Sequence, residues 1–141
     1  MPLSYVITPE RCRVLVTAAA KPTLAEFIAL HEALLADPRF EPGMDILWDR
    51  RAYHEAPDAD YIRAVIAYWK SNQDRLGGGY VATVVPEGVP AAYGMARMAE
   101  ILGRPEGELR AFHDYDEAIR WLDERFERAA GDADAPRPRS R

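Results

Sequence analysis

The chain has 141 residues and a formal net charge of −5, with 48% hydrophobic and 29% charged residues. That is the length of one domain, able to bury roughly two-thirds of its unfolded surface without covalent staples, and the balance excludes collagen-like, low-complexity and fully disordered classes. The single cysteine, Cys12, excludes a disulfide framework and a multi-cysteine zinc site, and the acidity argues against nucleic acid as a partner, because phosphate binding needs a basic face.

Tyr5-Val6-Ile7 and Val14-Leu15-Val16-Thr17 are short β-rich runs. Thr8-Pro9-Glu10-Arg11 between them reads as a tight turn with proline at its second position, so the chain opens on a hairpin. Thr23 then opens a helix with Glu26 three residues on, a capping box, and Leu24, Phe27, Ile28, Leu30, Leu34 and Leu35 recur at helical spacing up to Ala36. His31, four residues after Phe27, reads as a boundary residue of that helix. Asp45-Ile46-Leu47-Trp48 is a buried strand, followed by the polar loop Asp49 to Pro57. Asp58 can cap the next helix, whose apolar face carries Ile62, Val65, Ile66 and Trp69, and Gly77-Gly78-Gly79 ends that segment. Tyr80 to Val85 is a strand stopped by Pro86. Pro90 suits the first turn of a third helix, lined by Ala92, Met95, Ala99 and Leu102. Glu108 to Phe112 is the last strand, and Asp114 caps a final helix with Ala118, Trp121, Leu122 and Phe126 on its core face. The order β-β-α-β-α-β-α-β-α implies a single α/β domain, a five-stranded and mostly parallel sheet with an N-terminal antiparallel hairpin and about four helices.

The domain runs from residue 1 to 130. The remainder, Gly131 to Arg141, has two prolines and no bulky apolar residue, and is expected to be a disordered tail. Its Asp132 and Asp134 against Arg137, Arg139 and Arg141 leave it at +1, so the domain carries −6. No apolar run approaches the roughly 18 residues of a transmembrane helix, and Met1 to Tyr5 has no signal-peptide pattern, so the expected setting is the cytoplasm. Only Lys21 and Lys70 among 18 cations are lysines, a coding bias that suits a bacterial source.

The Tyr5-Val6-Ile7 / Arg13-Val14-Leu15-Val16 hairpin, Pro42 to Asp49, Gly78 to Val85, Ala96-Arg97-Met98 and Phe112 to Leu122 stand in an order and spacing that resembles the STAS-like superfamily, in particular its SpoIIAA-like branch of small stand-alone bacterial proteins. The resemblance spans Leu3 to about Arg128. It implies a non-enzymatic module that binds a partner protein or a small apolar or amphipathic ligand, with peripheral membrane contact as a tendency of that branch. In the anti-anti-sigma members a phosphorylated Ser or Thr at the start of the helix after the third strand acts as a switch. No Ser or Thr occurs here from Asp49 to Asp60, which argues against such a switch, and Asp58 in that place is a weak mimic with less charge and fewer oxygens than a phosphate.

In an open parallel sheet, ligands sit beyond the carboxyl ends of the strands. Asp49, Arg50, Arg51, Tyr53 and His54 follow the third strand there, Glu87 the fourth, and His113 and Asp114 the fifth. The expected site is this edge together with Asp58 and the second and third helices: Arg50 and Arg51 hold an anionic head group through their forked donors, and Tyr53, Tyr61 and Tyr93 form an apolar wall. Tyr61 and Tyr68, seven apart, share a helical face beside the core stripe. Two other classes are weighed against this reading. One is an enzyme or metal protein using His54 and His113, although no pair of candidate ligands has helical spacing and no nucleophile is evident, so neither cofactor nor metal is expected. The other is a homodimer joined through aromatic helix faces.

Overall fold

The alternating residues at the N-terminus fold as the antiparallel hairpin. In the computed structural model, which describes residues 3–55, 57–88 and 109–131, strand β1 (Leu3–Thr8) pairs with β2 (Arg13–Ala18) from Leu3 opposite Ala18 to Thr8 opposite Arg13. The connection is one turn of 3-10 helix, Pro9–Arg11, closed by the Cys12 amide donating to the Pro9 carbonyl at 3.0 Å. Cys12 takes a left-handed φ of 55°, uncommon for a residue with a Cβ, and ends the turn.

Helix α1 (Leu24–Ala36) starts at the expected capping box: the Thr23 hydroxyl accepts from the Glu26 amide at 3.1 Å and the Glu26 carboxylate from the Thr23 amide at 2.8 Å. Phe27, Leu30 and Leu34 are buried beneath it. His31 is also wholly buried, which corrects its reading as a boundary residue. One helical turn beyond Phe27, it continues the same stripe.

Strands β3 (Asp45–Asp49), β4 (Val81–Val84) and β5 (Leu109–Phe112) add in parallel, giving the sheet order β1-β2-β3-β4-β5. This is the single α/β domain read from the alternation of elements. Helix α2 (Ala59–Ser71) and the short α3 (Gln73–Leu76) lie between β3 and β4, and α4 (Tyr115–Gly131) follows β5. Side chains alternate between the faces of a strand. Val14, Val16, Ile46, Trp48 and Val81 face α1 and α2, while Leu47, Ala82, Val84 and Phe112 face Ala118, Trp121 and Leu122 of α4. Because β3 and β4 are covered on both sides, they read as continuous apolar runs.

The glycine run is a close backbone approach. A Cβ on Gly77 (φ 84°) would overlap the Gly43 amide, and one on Gly79 would overlap the Met44 carbonyl. The connection therefore packs backbone to backbone on the Pro42–Met44 turn. No helix among the described residues is long and apolar enough to cross a membrane. The helix read from Pro90 to Leu102, with Tyr93, lies outside the described residues, as do Glu108 and the tail from Asp132 on. Gly131, assigned to the tail by composition, is the last residue of α4.

Candidate functional site

The parallel ladder continues one residue beyond β3, where the Arg50 amide donates to the Val84 carbonyl at 2.8 Å. Extended backbone alternates sides, so Trp48 and Arg50 share the face toward α2, and Asp49 and Arg51 take the other. The Arg50 guanidinium carbon lies 4.2 Å from the centre of the Trp48 ring. Its Nε donates to Thr83 Oγ1 at 3.0 Å and its Nη1 to Tyr53 Oη at 3.1 Å. Two of five N–H donors are thus engaged, and among the described residues no carboxylate forms an ion pair with Arg50.

Beneath this guanidinium a cleft of about 60 Å³ opens between the sheet and α2. Trp48, Val81 and Leu109 form its floor, and Tyr61, Ile62, Val65 and Trp69 its helical wall. Arg50, Tyr53, Glu55, Pro57, Thr83, Val85 and Pro86 complete the lining. Tyr61 Oη is buried beside the Arg50 guanidinium. Burial pushes its phenol above the usual range, and the Arg50 charge pulls the other way.

Of the residues chosen from sequence, Arg50, Tyr53 and Tyr61 meet at this cleft. Arg51 does not. Its Nε and Nη2 grip Asp49 at 2.9 and 2.8 Å, and its guanidinium carbon lies 4.6 Å from the centre of the Tyr115 ring, toward α4. The expected pairing of Arg50 and Arg51 on one head group therefore gives way to an Asp49–Arg51 fork, which holds the Asp49 carboxyl below its ordinary range. Asp58 caps α2, accepting from the Tyr61 amide at 2.8 Å, and Asp114 accepts from the Asp116 amide at 2.8 Å at the start of α4. His54 and Glu87 are exposed and do not line the cleft. His113 lines a separate groove of about 420 Å³ beside β5 and α4, with Arg110, Glu117, Trp121 and Glu124. Tyr68 packs edge-on against Phe27 and donates to Glu32 at 2.7 Å, outside the cleft. Tyr93 is not among the described residues.

Thr83 and Trp48 escaped the sequence reading as site residues. Thr83 carried a visible signal, a lone hydroxyl inside an otherwise apolar and fully buried strand. Trp48 stacks on Phe27 at 5.8 Å and on His31 at 5.9 Å, so the cleft floor joins the aromatic layer under α1. Among the described residues no three His, Cys, Asp or Glu side chains gather as metal ligands. Comparison with known proteins finds no family model and no curated protein that matches the chain.

Proposed function

We propose that this protein is a STAS-like binding module of the SpoIIAA-like kind, acting in the cytoplasm by holding a small apolar or amphipathic ligand rather than by catalysis. The element order and the antiparallel-then-parallel sheet support the resemblance. The observation that carries the reading is the largely apolar cleft between α2 and the sheet, with a cation over its floor. No observation favours an enzyme built on His54 and His113: His113 lines the groove beside α4, and His54 is exposed and lines neither that groove nor the cleft. A homodimer joined through the α2 tyrosines is not favoured either, since Tyr61 and Tyr68 both pack edge-on against Phe27 of α1.

Native mass spectrometry of freshly purified protein tests the reading. A monomer carrying a co-purified small molecule that dissociates on collisional activation is the expected result. A ligand-free mass, with no shift of the Trp48 or Trp69 indole signals against a panel of apolar and amphipathic small molecules, would overturn it.

A further inference from the structure

Resting on that ligand-binding reading, we propose that the cleft selects a short-chain monocarboxylate, gripped by Arg50 alone while its alkyl body lies on Trp48 and against Ile62 and Val65. Three features of the site converge on this class.

The first is the donor inventory of Arg50. With Nε on Thr83 and one Nη1 hydrogen on Tyr53, three N–H donors remain, two on Nη2 and one on Nη1. That set matches the two oxygens of one carboxylate, and the ring of Trp48 and the two hydroxyls hold the fork in place before a ligand arrives. Arg39, Arg51, Arg63 and Arg75 each meet an acidic side chain, whereas the half-buried Arg50 has no carboxylate of this chain among the described residues. A carboxylate from outside would complete its coordination.

The second is charge. A phosphate carries more charge and more acceptor oxygens than a carboxylate, and it favours an open helix N-terminus. Here the start of α2 is occupied by the Asp58 carboxylate, and Glu55 lines the cleft mouth. Both acids disfavour a dianion more than a monoanion.

The third is size. An engineered cavity of about 150 Å³ takes benzene. The 60 Å³ here suits a few carbons, with the head group held at the rim.

The test is an NMR titration of the intact chain with butyrate, 1-butanol and inorganic phosphate, following the three indole N–H signals. Butyrate is expected to shift Trp48 and Trp69, leave Trp121 on the opposite face unmoved, and bind about tenfold more tightly than butanol, the worth of one charge-assisted contact. Arg50→Gln is expected to bring butyrate down to butanol's level without changing butanol. Equal binding of butanol and butyrate to the unaltered protein would overturn carboxylate selection and leave the apolar site standing. Phosphate binding as tightly as butyrate would mark a general anion site and overturn the proposal. No shift with butyrate or butanol would overturn the proposal and count against the ligand-binding reading as well. The ligand comparison needs no variant, so it holds even if Arg50→Gln destabilises the fold.

Discussion

His31 makes the stability of this fold depend on pH between about 6.5 and 4. The imidazole is fully buried among Phe27, Trp48 and Tyr68, with ring centroids at 4.3, 5.9 and 5.5 Å. Nδ1 sits 3.0 Å from the Phe27 carbonyl and serves as the donor, while Nε2 has no partner among the described residues, which offer no second acceptor to a protonated ring. Burial above all, with the Arg50 charge adding to it, pushes the pKa from 6.5 down to about 4, against the smaller opposing effects of the Phe27 carbonyl and Glu32. The unfolded chain therefore takes up a proton that the folded chain refuses between pH 6.5 and 4, and stability falls as pH falls through that interval. Integration gives a loss of about 2 kcal/mol by pH 5 and about 3 kcal/mol by pH 4 relative to pH 7.5. Glu32, Asp37 and Asp49 are all held below their ordinary values, so their losses belong to pH below about 4.5. Urea denaturation at pH 7.5, 6, 5 and 4 measures the slope, and His31→Leu is expected to flatten it above pH 5. Equal stability at pH 7.5 and 5, or the same slope in the variant, would refute the reasoning.

Three further outcomes follow from the packing and charges. Gly79→Ala places a Cβ against the Met44 carbonyl and should lower stability by about 2–3 kcal/mol, whereas Gly78→Ala, in open space at φ 74°, should lose only about 1–2 kcal/mol; thermal unfolding of both checks the order. Thr23→Ala removes the hydroxyl of the α1 capping box and should reduce stability by about 1 kcal/mol, read as a lower urea midpoint with an unchanged slope. Glu55→Gln, which removes a like charge from the cleft mouth, should tighten butyrate binding about two- to threefold in low salt, and 0.5 M NaCl should abolish the gain.

The architecture was legible because local signals and the hydrophobic pattern agree. Thr23 with Glu26, Asp58 and Asp114 mark helix starts that the structure keeps, and Pro9 marks the hairpin turn. What composition does not reveal is which face a residue meets. His31 looked peripheral because histidine is usually partly wet, but its position one turn from Phe27 outweighs that preference. The glycine run gave its role as a connection but not its cause, since the clash that forbids a Cβ comes from the Pro42–Met44 turn, distant in sequence.

The site was harder to read for one geometric reason. Arg50 and Arg51 are neighbours of identical chemistry, and reading β3 as ending at Trp48 left their directions undefined. Once the ladder is carried through the Arg50 amide to Val84, a period of two decides the matter: Arg50 falls with Trp48 over the cleft, and Arg51 falls with Asp49 toward α4. Arg51 is thereby neutralised by Asp49, and Arg50, with no ion pair among the described residues, is held by a ring and two hydroxyls. A half-buried guanidinium held by neutral groups is either open to an acid from outside or serves only to brace Thr83 and Tyr53. Thr83→Asp separates the two accounts. It should pair Arg50 internally and so abolish butyrate binding. A variant that keeps butyrate affinity would show that Arg50 is not the receptor.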